Sequence, residues 1–217
     1  MNLLELQKSL YINHGSFNEE LVEQTMVYKF LNPNSTVLEL GSNIGRNSLI
    51  ISKILTDSSR LVTLEMDKIF VDKCEENKNL NNLNFNIINS ALSYRPLYFQ
   101  NKKHGEGGGY CVDQKYTNDY IPCSVITFEE IEEKFNLKFD TLVVDCEGGF
   151  YHILNDNPKI LDNIKLLIIE NDFPVIEHKN YLNNLLNING FTRVFVKNLE
   201  SVSDFPCKEF FWETWTK

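Results

Sequence analysis

The chain has 217 residues, 42% of them hydrophobic and 24% charged, an ordinary composition for one globular domain with a substantial core. Its formal net charge is −9 and no stripe of Lys and Arg runs through it, which argues against nucleic acid as a partner. No stretch of 18 apolar residues occurs, and residues 1–10 lack the apolar core of a signal peptide, so we expect no membrane association.

Strands and helices are predicted to alternate along the first ninety residues. Ser16 to Glu19 have the form of a capping box and predict a helix that begins there and ends before Pro33. Such alternation is typical of a parallel, doubly wound sheet. The segments that follow are strand 36–40, helix 44–55, strand 60–65, helix 68–80 and strand 85–89.

The second half of the chain continues this pattern less regularly. Residues 101–110 hold four glycines and predict a surface loop, whereas Thr127 to Glu130 form a second capping box. The sequence predicts an α/β, Rossmann-like fold in one domain, 1–217, with a helical cover over 1–35 and a core over 36–217. We expect a seven-stranded, mostly parallel sheet with a C-terminal antiparallel hairpin strand. The further segments are strands 96–100, 140–145 and 164–170, helix 177–188, and strands 191–196 and 208–215.

The five cysteines are an odd number and include no C-x-x-C pair. Reduced thiols in an intracellular compartment are therefore the favoured interpretation, and we expect a cytoplasmic protein. The cysteines are Cys74, Cys111, Cys123, Cys146 and Cys207.

Polar residues stand where the predicted parallel strands end, which is where ligands bind in doubly wound sheets. Glu65 lies 24 residues after Gly41, a spacing suited to an acid that accepts hydrogen bonds from two ribose hydroxyls. A dinucleotide-binding turn would need glycine at Asn43 and Arg46, so NAD is excluded. The turn from Gly41 to Gly45 favours a nucleoside without phosphates; the alternative is a tight strand-to-helix turn that binds nothing.

Several segments resemble known methyltransferases. LELGSNIG (38–45) resembles the first S-adenosylmethionine motif of class I methyltransferases, and VTLEMD (62–67) resembles the second. NIINSALS, FDTLVVDCEGGFYHIL and LLIIEND are similar to segments of the FkbM family, and the resemblance runs from residue 36 to 172. The chain departs from the family pattern at Glu39, where Asp is usual, and at Ser42, where Ala is usual. The resemblance implies the class I methyltransferase fold and methyl transfer to oxygen, commonly a hydroxyl of a sugar or glycosylated metabolite.

By position, the resemblance implies a site for S-adenosyl-L-methionine. The glycine turn would contact the methionine moiety, and Glu65 would bind the ribose. Met66 would flank the adenine or serve only as core packing. Glu39 would fix the turn or meet the amino group through water. The implied cofactor residues are Glu39, Gly41, Asn43, Gly45, Glu65, Met66, Ser90, Ala91 and Asp145.

A sugar hydroxyl needs a general base or a metal ion to attack a sulfonium. Asp145, Glu170 and Asn171 are oxygen donors suited to Mg²⁺ or Mn²⁺, and their order resembles the metal site of catechol and macrocin-type O-methyltransferases. Glu147 occupies the place of an acidic base in some sugar enzymes, and His14 is a further candidate base. The alternatives are that Asp145 caps a helix or binds the cofactor's amino group, and that Glu147 only favours a helix N-terminus.

The favoured function is O-methylation of a small-molecule or glycan acceptor. One alternative is N-methylation of a metabolite, and another is a non-catalytic cofactor-binding module of a glycan-assembly system. Adenine-N6 methylation of nucleic acid is disfavoured, because the segment after the fourth strand reads Asp-Cys-Glu-Gly and not N/D-P-P-Y/F. We expect residues 13–18 and 101–110 to border the active-site mouth. The oligomeric state is left open by the sequence.

Overall fold

The computed structural model describes residues 2–100, 111–200 and 204–217. Within these ranges most predicted segments are present, displaced by a residue or two at their ends. The strands are β1 (Val37–Leu40), β2 (Leu61–Leu64), β3 (Asn86–Ile88), β4 (Ala91–Leu92), β5 (Leu97–Gln100), β6 (Cys111–Val112), β7 (Tyr120–Cys123), β8 (Val125–Ile126), β9 (Thr141–Val144), β10 (Leu166–Glu170), β11 (Thr192–Lys197) and β12 (Trp212–Thr216). The helices are α1 (Leu3–Lys8), α2 (Leu21–Phe30), α3 (Arg46–Ile54), α4 (Lys68–Leu80), α5 (Phe128–Phe135), α6 (Phe150–Asp156) and α7 (Ile176–Ile188).

The main sheet has seven strands in the order β11-β12-β10-β9-β1-β2-β3. The pairs among β3, β2, β1, β9 and β10 are parallel, and β12 runs antiparallel between β10 and β11. The predicted sheet, mostly parallel with a closing antiparallel pair, is therefore confirmed. The chain reverses its direction of winding between β1 and β9, so their carboxyl ends form the expected binding crevice.

Helices cover both faces of the sheet. Helices α1 to α4 pack on one face in a cluster that includes Val37, Val143 and Ile168, and α5 to α7 pack on the other. Side chains alternate between faces along a strand. Glu39 and Glu170 therefore lie on the face of the sheet that α2 and α3 cover. Asp145 directly follows β9, and the same alternation (strand parity) places it on that face.

The N-terminal helices share a core with the sheet. Leu6 of α1 and Met26 and Val27 of α2 are buried in the same hydrophobic cluster as Val37 and Leu49. The apolar side of α2 therefore lies on the strands, and its first turn lies close to their carboxyl ends, where Glu20 and Glu23 line one pocket with Glu170.

Helix α2 begins later than its predicted capping box. Its first residue is Leu21, and Glu20 precedes it in the left-handed region with φ 54°. The Ser16 hydroxyl accepts from the N–H of Asn18, and the Glu19 N–H donates to the Ser16 carbonyl. Ser16 therefore closes a tight turn and caps no helix, so this prediction was wrong. The second capping box, at Thr127, is confirmed.

The segment between β3 and α5 forms two small additional sheets. Strand β5, predicted over 96–100, lies between β6 and β7 in a three-stranded antiparallel sheet, and β4 pairs with β8. The predicted loop 101–110 lies outside the described residues. All five cysteines are free thiols. Over the described parts of the chain, none of the helices has the length and apolar character that a membrane span requires.

Candidate functional site

The turn between β1 and α3 needs glycine at both ends. Gly41 has φ 86°, and a Cβ there would lie 1.6 Å from the carbonyl oxygen of Asp145. Gly45 has φ 88°, and its Cβ would lie 2.6 Å from Sγ of Cys74. The Gly41 N–H donates to the Leu64 carbonyl at 3.0 Å. The turn therefore packs closely against the ends of β2 and β9.

Glu65 is fixed beside this turn by main-chain hydrogen bonds. One carboxylate oxygen accepts from the N–H of Asn43 and the other from the N–H of Asp67, each at 2.9 Å. The Asn89 amide donates to the carbonyls of Glu65 and Met66 at 3.0 and 2.9 Å. Burial raises the pKa of Glu65, and the two N–H donors oppose that shift. Each oxygen keeps a lone pair for a ligand hydroxyl. Asn89 was not among the predicted site residues, although it directly precedes Ser90.

The other predicted adenine residues lie at the adjoining strand ends. The Ser90 hydroxyl is 2.7 Å from the hydroxyl of Ser124, and the Ala91 N–H donates to the Ser124 carbonyl at 2.9 Å. Met66 is half-buried, and the Cys111 thiol donates to its thioether sulfur at 2.9 Å. These contacts give one wall of the crevice a mixture of hydroxyl and sulfur groups.

Glu39 lies beneath the turn. Its side chain is 2% exposed and accepts a short hydrogen bond from the Ser48 hydroxyl of α3. Burial raises the pKa of Glu39 to about 7, and the hydroxyls of Ser48 and Thr63 oppose the shift. Glu39 therefore joins β1 to α3, in line with the expectation that it fixes the turn.

Three carboxylates meet at the ends of β9 and β10. Oxygens of Asp145, Glu170 and Asp172 lie within 4.8 Å of one another, close enough to share one metal ion. Burial and the negative charges of Glu170 and Asp172 raise the pKa of Asp145 well above its usual range. Burial and Glu170 likewise raise the pKa of Asp172 to about 8. Their repulsion favours either bound protons or a cation.

Asn171 directly follows Glu170, and its side-chain carbonyl oxygen is buried without a hydrogen-bond partner among the described residues. It is fully buried, its side-chain amide donates to the Phe210 carbonyl at 2.7 Å, and its N–H donates to the Phe211 carbonyl at 2.7 Å. Asn171 has the strand parity opposite to Glu170, whereas Asp172 has the same parity. Asp172 therefore forms a group of three carboxylates with Asp145 and Glu170, and the role predicted for Asn171 stays a prediction.

The two candidate bases occupy different surroundings. Glu147 is exposed, with φ 53°, in the turn between β9 and α6, and its negative charge raises the pKa of Asp172. The His14 imidazole lies 2.7 Å from the Glu76 carboxylate, two turns into α4. Asn77 donates to the carbonyl of Ile44 at 2.9 Å and accepts from the N–H of His14 at 3.3 Å. The 13–18 segment thus lies beside the glycine turn, while the His14 ring pairs with α4.

Acids of the cover were missed by the sequence reasoning. Glu23 is 5% exposed, and the Trp212 indole N–H donates both to Glu23, at 3.1 Å, and to Glu170, at 2.8 Å. Arg46 forms ion pairs with Glu19 and Glu20. The i, i+3 spacing of Glu20 and Glu23 was visible in the sequence, but only the packing of α2 shows that Glu23 meets Glu170 through Trp212.

No protein-family model matches this chain, and no curated protein matches it either. Solved structures do share its architecture. An rRNA methylase from Streptococcus thermophilus is 11% identical with a TM-score of 0.55, covering 90% of this chain and 94% of its own. The fold is that of a class I methyltransferase. A ribosomal protein L11 methylase from Lactobacillus delbrueckii subsp. bulgaricus is 10% identical, with a TM-score of 0.54. The match covers 94% of this chain and 79% of the methylase.

An O-methyltransferase from Bacillus cereus, solved in complex with SAH, is 14% identical with a TM-score of 0.51, covering 99% of this chain and 89% of its own. At such identities the likeness establishes the fold and not the substrate. Membership of the FkbM family stays a prediction from the D-x-E-G segment at Asp145 to Gly148.

Proposed function

We propose that this chain transfers a methyl group from S-adenosyl-L-methionine to a hydroxyl of a small molecule or glycan. The observation that carries the cofactor assignment is the Glu65 carboxylate, fixed by the N–H groups of Asn43 and Asp67 beside the glycine turn. An ionised acceptor held at the carboxyl edge of a parallel sheet suits the paired hydroxyls of a ribose.

The turn also favours a cofactor without phosphates. Asn43 and Arg46 stand where a dinucleotide-binding turn has glycine, and the Arg46 side chain is engaged by Glu19 and Glu20. A pyrophosphate would therefore meet side chains and carboxylates at the start of α3. A sulfonium is favoured instead, because the nearby acids attract positive charge.

The reaction requires an acceptor oxygen that has lost, or is losing, its proton. That oxygen attacks the methyl carbon in line, the carbon–sulfur bond breaks, and S-adenosylhomocysteine leaves. Glu147 takes the hydroxyl proton in this proposal, since it is exposed at the crevice next to the acidic cluster. Its left-handed backbone is the kind of local strain often found at functional sites.

A divalent metal ion, Mg²⁺ or Mn²⁺, forms the second part of the proposal. The donor set fits: three carboxylates converge, and Oδ1 of Asp172 is buried without a hydrogen-bond partner in the described part of the chain. Asp145, Glu170 and Asp172 would hold the ion. The sequence alone had suggested Asp145, Glu170 and Asn171. Such an ion would lower the pKa of an acceptor hydroxyl bound to it.

The acceptor is proposed to be a neutral or cationic metabolite or a sugar. One of the similar solved structures is named as an rRNA methylase, so nucleic acid is the main rival. The net charge of −9 and the carboxylates at the strand ends argue against a polyanion. An N-methyltransferase or a non-catalytic cofactor-binding module would use the same cofactor residues. The first would methylate an amine and the second would methylate no acceptor, so a methyl-transfer assay separates them.

The test is methyl transfer from labelled S-adenosylmethionine to a panel of sugars, glycosylated metabolites, amines and RNA, with and without EDTA. We expect label in a hydroxyl compound, loss of turnover in EDTA, and retention of S-adenosylhomocysteine binding in EDTA. Glu147→Gln should lower kcat by roughly 10²–10⁴-fold, and Glu133→Gln, at an exposed position of α5, is the matched control.

The outcomes separate the alternatives. Label in RNA or in an amine alone would overturn the acceptor class. Full activity in EDTA would remove the metal and leave Glu147 as the base. Cofactor binding with no turnover on any acceptor would favour the non-catalytic module.

A further inference from the structure

A pocket beneath the glycine turn is lined by carboxylates from the cover and from the sheet. Glu20 and Glu23 contribute from the start of α2, and Glu39, Asp145 and Glu170 contribute from the strands. The free volume at its centre is about 10 Å³, enough for one water-sized occupant. The pocket therefore gathers five carboxyl groups around a space that fits a single small ion.

Neighbours satisfy these carboxyl groups only in part, and Glu23 shares a hydrogen bond with Glu170. Glu20 pairs with Arg46 at 2.7 Å, and Glu39 accepts from Ser48. The other three carboxylates are Glu23, Asp145 and Glu170. Over the described ranges, no ion pair joins any of them to Lys or Arg. The Trp212 indole donates its single neutral N–H to both Glu23 and Glu170.

A neutral oxygen in the same pocket also lacks a partner. Asn47, in the first turn of α3, lines the pocket and is 9% exposed. Its side-chain carbonyl oxygen is buried and accepts no hydrogen bond among the described residues. Buried polar atoms in proteins are nearly always satisfied, so an unpaired oxygen beside three carboxylates indicates an electropositive ligand.

We propose that this pocket binds a hard metal cation of the Mg²⁺ and Ca²⁺ class through oxygens of Glu23, Asp145, Glu170 and Asn47. Carboxylates together with an amide oxygen are the donors that these ions take in proteins. The ion fastens helix α2 to the ends of β9 and β10, because Glu23 lies on the helix, Asp145 directly follows β9, and Glu170 is the last residue of β10.

This inner position is separate from the proposed acceptor-binding metal, although the two share Asp145 and Glu170. Glu23 and Asn47 line only the inner pocket, and Asp172 belongs only to the outer group. The inner site does not depend on methyl transfer, since its binding is measured without cofactor or acceptor. Its failure and the failure of the proposed function are therefore distinguishable.

The test is calorimetric titration of the full chain, stripped with EDTA and desalted, with Mg²⁺ and separately with Ca²⁺. We expect binding of at least one ion that raises the melting temperature. Asp172→Asn should retain this binding. In the Asp172→Asn background, where the outer group lacks one of its acids, Glu23→Gln should weaken the remaining ion binding at least about tenfold and remove its thermal shift. Glu19→Gln, which removes one exposed acid from the same segment, is the matched control.

A second variant keeps the test decisive if Glu23→Gln fails to fold. Asn47→Asp replaces the neutral oxygen with a charged one of the same size and should tighten ion binding. The proposal is overturned if the wild-type chain binds neither ion, or if adding Glu23→Gln to Asp172→Asn leaves binding as tight as in Asp172→Asn alone. It is also overturned if Asp172→Asn alone abolishes binding, since the ion would then occupy only the outer group.

Discussion

Replacing Glu65 with glutamine tests the cofactor assignment most directly. The substitution keeps the size of the side chain and removes its charge. In the wild-type chain each carboxylate oxygen accepts one main-chain N–H, from Asn43 and from Asp67. A glutamine amide has one acceptor oxygen, so one of these N–H groups would face an NH₂ group, and at least one ribose hydroxyl would lose a charged acceptor.

The magnitude follows from the hydrogen bonds. A hydrogen bond to a charged group contributes about 1.5–3 kcal/mol. Because each 1.4 kcal/mol is a factor of ten, the loss of one such bond weakens binding by roughly 10- to 140-fold. Glu65→Gln should therefore raise the Kd for S-adenosylhomocysteine by that factor. Glu65→Ala removes both oxygens and should cost at least as much.

Isothermal titration calorimetry with S-adenosylhomocysteine measures this change, with circular dichroism to verify that the variant is folded. Asp72→Asn is the matched control, because Asp72 is an exposed acid on α4 whose ion pair with Lys68 contributes little. It should bind as the wild type does. A Glu65→Gln affinity within twofold of wild type would refute the position of the ribose.

Three further predictions concern the turn and its surroundings. Gly41→Ala should lower the free energy of unfolding in urea by clearly more than Gly190→Ala, since both have positive φ but only Gly41 meets an atom, at 1.6 Å; equal losses would contradict this. Burial raises the pKa of Glu39 from 4.5 to about 7, so Glu39 should contribute up to about 3 kcal/mol of stability that is lost as pH rises from below 4.5 to above 7. Glu39→Gln should reduce the pH dependence of stability by that amount in EDTA, and an unchanged slope would exclude Glu39 as one of its sources. Residues 13–18 should exchange hydrogen more slowly when S-adenosylhomocysteine binds, and equal rates would make them an ordinary surface segment.

The parts of the fold that the sequence predicted depend on local patterns. The apolar run at 37–40, the glycines at 41 and 45, and the acid at 65 identified a strand, a turn and a second strand without reference to distant residues. The sequence predicted that the last two strands pair antiparallel, but it did not predict that β12 inserts between β10 and β11. Strand order depends on contacts between segments far apart in the chain, which local patterns do not reveal.

The features that the sequence misplaced or left out depend on orientation or on tertiary context. Ser16 fits a capping box by residue type, but its hydroxyl closes a turn and the helix begins at Leu21. Asn171 and Asp172 are adjacent in sequence, and only the alternation of side chains across β10 separates them. Strand parity was available from the sequence and would have favoured Asp172. Strand parity could not have identified Glu23, because Glu23 lies on a helix. It comes close to Glu170 only through the packing of α2 on the sheet.

Strand parity explains why the acids converge. Glu39 and Glu170 share the face that carries α2 and α3, Asp145 continues β9 with the same parity, and the start of α2 brings Glu23 to them. Burial and the neighbouring carboxylates together raise the pKa of Asp145. Such an edge repels anions and gains most from a ligand that brings positive charge. A sulfonium cofactor and a hard metal ion both satisfy that requirement, whereas a pyrophosphate does not, so the electrostatics and the glycine turn independently favour the same class of ligand.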